Sequence, residues 1–253
     1  MRINEVRAIV TGAASGLGRH FTLKLAGLGA SVAAGDIDLQ GLDELKQECQ
    51  TLQGKVLTGK LDVSQEASVL EFVKKTSEQM GGVNTLVNNA GILRDGLLVK
   101  GEVGWIRKLP AKQWQQVLDV NLTGAYYMAR EVVGEVIQRN VKESVIVNIS
   151  SMSRAGNPGQ SNYAASKSGL DACTRTWALE LASHGVRVGG IAPGLIETPM
   201  LRHVSDETKQ NLLATIPLKR AGTVDEVWLA LQFIIECDYF TGRTIEVDGG
   251  STF

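Results

Sequence analysis

Cysteine is scarce in this 253-residue chain, and Cys49, Cys173 and Cys237 stand far apart. An odd number without a Cys-x-x-Cys spacing argues against a disulfide framework and a thiolate metal site. An excess of one charge is also missing: the net charge is −1, with no basic run. Nucleic acid and anionic membrane are therefore not expected partners. No apolar run is long enough to cross a bilayer, and the N-terminus enters a charged, strand-like segment without a signal-peptide core. There is no internal repeat, low-complexity tract or linker. The expectation is a cytoplasmic chain without a metal site. What is present is 43% hydrophobic residues and 28 glycines, which suits one large α/β domain over residues 1–253.

Val6 to Val10 reads as a short buried strand that runs into Thr11-Gly-Ala-Ala-Ser-Gly-Leu-Gly18. An apolar helical pattern follows through Phe21, Leu23, Leu25 and Leu28. A strand feeding a glycine turn and a helix N-terminus makes an anion site, because free N–H groups and the helix dipole favour negative charge. Gly12 serves the tight turn, Gly16 the approach of a pyrophosphate, and Gly18 close helix–strand packing. A second strand, Ala30 to Gly35, ends in Asp36, placed to accept hydrogen bonds from both ribose hydroxyls of an adenosine. That carboxylate would repel a 2′-phosphate, and neither Gly35 nor Ile37 beside it offsets the charge. NAD is therefore the expected cofactor, ahead of NADP.

Lys55 to Leu61 reads as a third strand closed by Asp62-Val63, which would line an adenine pocket. Thr85 to Asn89 is a fourth, ending at Ala90-Gly91, small enough for a ribose or nicotinamide to lie against the backbone. Asn88 and Asn89 either face the ligand or tie strands together. Ile92 to Leu109 is long for a connection. Its Trp105 suggests a lid, an interface or a cover over its own core. Pro110 to Arg139 reads as a long helix, or one with a break, crossing Asn121. Strands Ser144–Ile149, Val186–Ile191 and Thr244–Val247 complete a doubly wound, Rossmann-type parallel sheet of about seven strands, its crossovers of βαβ length. Thr223-Val-Asp-Glu226 reads as a capping box opening a helix to Glu236. Pro199 to Thr215 reads as a helical segment covering the substrate.

The stretch around which the rest is arranged is Ser151 to Lys167. On a helix, Tyr163 and Lys167 at i and i+4 share one face. At about 4 Å and an effective dielectric of about 20, an ammonium favours the phenolate by up to about 4 kcal/mol, or roughly three pKa units. A tyrosine moved toward neutrality is a usable acid or base. By itself the pair also fits an ordinary surface tyrosine beside a lysine.

Taken in order, Thr11-Gly12-x-x-x-Gly16-x-Gly18, Asn88-Asn89-Ala90-Gly91, Asn121, Ser151, Tyr163-x-x-x-Lys167 and Pro193-Gly194 resemble the short-chain dehydrogenase/reductase family along the whole chain. Asn88–Lys100, Asn148–Ser151 and Gly156–Lys167 are most similar to its 3-oxoacyl-(acyl-carrier-protein) reductases. The resemblance implies Tyr163 as proton donor to a carbonyl oxygen held by Ser151. It implies Lys167 on the nicotinamide-ribose hydroxyls, lowering the tyrosine pKa, and Asn121 positioning a relay water. It places Gly12, Ser15, Gly16, Leu17, Gly18, Asp36, Ile37, Asp62, Val63, Asn89, Ala90, Gly91, Pro193 and Gly194 around the cofactor, with Ile196 and Thr198 at the carboxamide. It also implies a homotetramer built on the helix from Tyr163 to Leu181 and the long helix before it.

Three features depart from those reductases. The run from Ser151 to Tyr163 is one residue short, so counting back from Tyr163 points to Ser150, whereas matching the strand end points to Ser151. Ser151 is preferred, since a loop absorbs a deletion more easily than a strand does. Ile92–Leu109 is longer than its counterpart, which leaves an acyl substrate open. The glycine loop reads Ala13-Ala14-Ser15 where NADPH-using relatives carry arginine. The expected activity is interconversion of a secondary alcohol and a ketone by hydride transfer, with a 3-oxoacyl thioester as one candidate for the ketone. The alternative is a redox-sensing or scaffold protein that binds NAD without turnover.

Overall fold

The computed structural model describes residues 1–198 and 206–251. Seven parallel strands form one sheet: β1 (Arg7–Thr11), β2 (Ser31–Asp36), β3 (Val56–Lys60), β4 (Thr85–Asn88), β7 (Ser144–Ile149), β8 (Val186–Pro193) and β9 (Arg243–Val247), in the order β3-β2-β1-β4-β7-β8-β9. All of the pairings are parallel. The strands are apolar on both faces because both are covered. In β1, Ala8 and Val10 face a core built with α1 (Gly16–Gly27), α2 (Leu39–Glu48) and α8 (Val224–Glu236), where Phe21, Leu45 and Leu231 are fully buried. Ile9, between them, faces the opposite core of α3 (Glu66–Met80), α5 (Gly124–Gln138) and α6 (Ser161–Leu181), with Met128 at its centre. Each such large side chain contributes about 1.5–3 kcal/mol on burial.

The chain reverses its winding at β1, from which the sheet grows toward β2 on one side and β4 on the other. That leaves a crevice at the carboxyl ends of β1 and β4, where open α/β sheets hold ligands. Of the two readings of the segment crossing Asn121, the interrupted helix is the one observed. α4 (Ala111–Leu118) passes through a π-helical turn, Asp119–Thr123, into α5. The capping box at α8 also forms: the Thr223 side chain accepts from the Glu226 amide, and Glu226 accepts from the Thr223 N–H at 2.8 Å. α7 (Asp206–Thr215) covers most of the expected covering segment, while Pro199 and its successors to 205 lie outside the described residues.

Ile92–Leu109 is not a plain loop. It carries an antiparallel hairpin, β5 (Val99–Glu102) and β6 (Trp105–Lys108), that belongs to a separate two-stranded sheet. Of the three expected roles, a cover over its own core is not what Trp105 provides within the single chain, where the residue is 52% exposed. Among the described residues, only the base is fastened. Gly96 donates to the Gly159 carbonyl at 2.7 Å, and Gln113 donates to the carbonyls of Arg94 and Asp95.

Candidate active site

The glycine turn has three separate jobs. Gly12 (φ 64°) and Gly16 (φ 54°) adopt left-handed backbone that strains any other residue. A Cβ on Gly18 would lie 2.2 Å from the Gly12 carbonyl oxygen, so α1 can sit this close to β1 only without a side chain there. A Cβ on Gly16 would meet nothing within 4 Å: its surroundings are open toward the crevice. Ser15 is the N-cap residue of α1, and Leu17 packs on the first core.

Asn89 holds this turn from the neighbouring strand, donating to the carbonyls of Thr11 (2.9 Å) and Gly12 (3.1 Å). The Thr11 hydroxyl accepts from the amides of Asn89 and Ala90. Asn88 donates to Asn148 across the sheet at 2.9 Å, and Asn148 passes the link on to Thr174 of α6. The side-chain nitrogens of both asparagines are therefore spent on tying strands and loops. The surface that remains for a ligand here is the backbone of Ala90 and Gly91. A Cβ on Gly91 would lie 3.6 Å from the Lys167 ammonium.

Asp36 closes β2 beside the turn, accepting from the Ala14 amide at 2.9 Å and from Asp38 at 3.0 Å. Ile37 beside it is exposed. Asp62 folds back on Ser64, and Val63 is buried against Gly124. Beyond β8, the Gly194 amide donates to Val247 and Ile196 bridges to Gly222. Ile196 and Thr198 thus follow just beyond the end of β8 at Pro193.

The catalytic candidates converge on the far side of the crevice. Asn121 lies in the π-helical turn, a common form of backbone irregularity at functional sites. Its side chain accepts from the Ile92 amide (2.8 Å) and donates to the Ile92 carbonyl (3.1 Å) and the Ser166 hydroxyl (3.3 Å). Ser150 turns away, its hydroxyl donating to the Lys167 carbonyl at 3.2 Å. Ser151 caps a short turn, accepting from Ser153, and its hydroxyl acts on the Tyr163 phenol. Of the two serines, then, Ser151 is the one that shares a site with the tyrosine.

The expected lowering of the tyrosine pKa is not produced by the protein's own groups. Burial pushes the Tyr163 phenol up, Ser151 draws it part of the way back, and the Asp95 charge adds to the rise. Lys167 does not reach the phenol oxygen. Its ammonium stands 5.6 Å from the ring centroid and donates to the Ile149 carbonyl at 2.6 Å. Full burial lowers its own pKa to about 8. Helical spacing places both residues on one face but does not set where a four-carbon side chain ends, and desolvation disfavours both charged forms.

Two contributors were missed in the sequence. Asn162, fully buried, accepts from the Tyr163 amide at 2.8 Å and donates to the Arg94 carbonyl at 3.0 Å. Asp95 accepts from Gln160 at 3.1 Å. An asparagine next to the tyrosine at a helix start was the available signal for the first. Nothing in the sequence places Asp95 there.

A family model described as enoyl-(acyl carrier protein) reductase matches residues 12–252. The chain is a short-chain dehydrogenase/reductase. It is 42% identical to the 3-oxoacyl-[acyl-carrier-protein] reductase of Thermotoga maritima, covering 99% of both chains. It is 34% identical to the (2S)-[(R)-hydroxy(phenyl)methyl]succinyl-CoA dehydrogenase subunit BbsD of Thauera aromatica, covering 99% of this chain and 98% of that one. Among solved structures, a short-chain type dehydrogenase/reductase from Mycobacterium marinum matches with a TM-score of 0.90 at 28% identity, covering 99% and 97% of the two chains. Fold and family place this chain among nicotinamide-dependent oxidoreductases. Among the described residues, no helix is long and apolar enough to cross a membrane, and no cluster of His, Cys, Asp and Glu is arranged to hold a metal ion.

Proposed function

We propose that this chain is an NAD(H)-dependent oxidoreductase that reduces the ketone of a 3-oxoacyl thioester to the secondary alcohol. The observation that carries the reading is the grouping of Ser151, Tyr163 and Lys167 at the carboxyl end of the sheet, beside a glycine turn open at Gly16. The open turn and the Asp36 carboxylate fit a dinucleotide: backbone N–H groups of the turn toward its pyrophosphate, Asp36 toward its adenosine ribose, Lys167 toward its nicotinamide ribose. When bound, NADH supplies the hydride.

The rest is done by this chain's residues. The Ser151 and Tyr163 hydroxyls donate to the ketone oxygen and hold the carbonyl in one orientation. As that oxygen gains charge, the phenol proton passes from Tyr163 to it, completing the alcohol. Asn121 holds Ile92 and Ser166 in register beneath the site and is the residue we assign to positioning a relay water. Ile196 and Thr198 would flank the carboxamide, and α7 would belong to the covering segment. The names of the relatives, which act on thioesters of acyl carrier protein or coenzyme A, support the substrate class.

Exposed Leu179 on α6 and Tyr126 on α5 support a homotetramer built on these helices. Three unpaired cysteines support a reducing, cytoplasmic compartment. The test is Tyr163→Phe with acetoacetyl thioester and NADH. A loss in kcat of at least about a hundredfold, with NADH binding retained, is expected; comparable turnover by the variant overturns the proton-donor assignment.

A further inference from the structure

The β5–β6 hairpin is unused by the chemistry above, yet it leaves the body of the protein beside the catalytic helix. Its base is tied there through Gly96 to Gly159 and through Arg94 to Asn162. Beyond the base it stands in solvent, with Leu98, Val103 and Ile106 exposed. Five cations between Arg94 and Lys112 face only Asp95 and Glu102, an excess of three positive charges in a chain of net −1.

The register makes this more specific. Lys100 is the direct cross-strand partner of Arg107, and Glu102 that of Trp105. Residues directly opposite share a face, and so do residues two apart, so Lys100, Arg107 and Trp105 lie on one face of the ribbon with Glu102. Like charges placed directly opposite are destabilising, and a lone two-stranded hairpin is marginal to begin with. Neither cation has an ion-pair partner among the described residues. An anion between them would remove the repulsion. A half-exposed indole on the same face would stack on a flat ring carried by the same ligand.

We infer that this face of the hairpin binds the nucleotide end of coenzyme A, with Lys100 and Arg107 on its phosphates and Trp105 against its adenine, so that the substrate is a coenzyme A thioester. The inference rests on the thioester reading above and narrows it. Charge complementarity favours the occupant: two cations and an aromatic plane together match phosphates attached to a purine. Reach agrees as well. Lys100 lies four residues beyond Gly96, roughly 13 Å of extended chain, the order of length of the pantetheine arm between thioester and phosphate. The carbonyl end would then lie by Tyr163 while the nucleotide rests on the ribbon.

Two measurements test this. In the first, free coenzyme A is titrated into the protein by calorimetry, without turnover. Binding is expected in the wild type, weakened at least about tenfold by Lys100→Glu with Arg107→Glu, and roughly tenfold by Trp105→Ala. In the second, acetoacetyl-coenzyme A is compared with acetoacetyl-N-acetylcysteamine, which keeps the acyl thioester and lacks the nucleotide. The charge-reversed variant should raise KM for the coenzyme A ester at least about tenfold, with kcat and KM for the short ester unchanged, which also shows that it folds. Unchanged affinity for coenzyme A, equal loss on both esters, or a loss confined to an ester of acyl carrier protein overturns the inference. A protein that binds coenzyme A at the hairpin but reduces neither ester keeps the nucleotide site and refutes the proposed thioester activity. One that reduces the short ester and ignores the hairpin substitutions does the reverse.

Discussion

Replacing Asp36 with alanine should collapse the proposed preference for NADH over NADPH. In the structure both carboxylate oxygens are held, by the amides of Ala14 and Asp38, so the charge is fixed at the end of β2. A 2′-phosphate would bring about −1.5 to −2 charges to that spot. At about 5 Å and an effective dielectric near 20, the repulsion is roughly 3 kcal/mol per unit charge. Solvent screening and side-chain movement reduce this to about 1–3 kcal/mol, a preference of roughly 5- to 150-fold.

The structure also identifies the cation best placed to offset it. Arg19 donates to the carbonyls of Ala14 and Gly41, right beside Asp36, but its guanidinium is paired with Glu48 at 2.7 Å. That carboxylate cancels most of the field a phosphate would feel. Steady-state kcat/KM for NADH and NADPH with one ketone decides the matter, in wild type, Asp36→Ala and Glu48→Gln. The expected order of NADH preference is wild type, then Glu48→Gln, then Asp36→Ala. Equal or better use of NADPH by the wild type would refute the reasoning.

Three further outcomes follow from the geometry. Ser151→Ala should lower kcat much more than Ser150→Ala, because only Ser151 acts on the phenol; kinetics of the two variants showing the reverse would assign the role to Ser150. Lys167 should leave a signature in stability against pH. Its folded pKa is about 8 against an ordinary 10.5, so between these pH values the unfolded chain binds the extra proton. Wild-type stability relative to Lys167→Met should therefore rise from pH 8 to 10.5, by on the order of 3 kcal/mol; a gap in urea unfolding that stays flat would show that the lysine is not desolvated. Thr223→Ala removes the α8 cap and should cost about 0.5–2 kcal/mol in the same assay, with Thr223→Ser losing little.

What could be read in advance was local in the chain. The step from β1 through Gly12, Gly16 and Gly18 into α1 is written in some twenty neighbouring residues, because backbone sterics and hydrophobic period act over one or two turns. The same holds for Asp36 at its strand end, for the Thr223–Glu226 box and for the shared face of Tyr163 and Lys167. Parallel pairing also followed, since crossovers of βαβ length leave few alternatives.

Tertiary structure decided what depends on distance across the fold and on the loss of water. That Asn88 reaches Asn148, and Asn89 the Gly12 carbonyl, joins residues 60 and 77 positions apart. Ser151 rather than Ser150 meets the phenol because the chain beyond β7 turns one hydroxyl to each side. The hairpin escaped notice because a ribbon exposed on both faces has no apolar alternation to betray it. The tyrosine was misjudged for the same kind of reason. Sequence spacing supplies a Coulomb attraction between Tyr163 and Lys167, but only packing determines how far the ammonium stops from the oxygen and how dry both become. There, desolvation outweighs the pair.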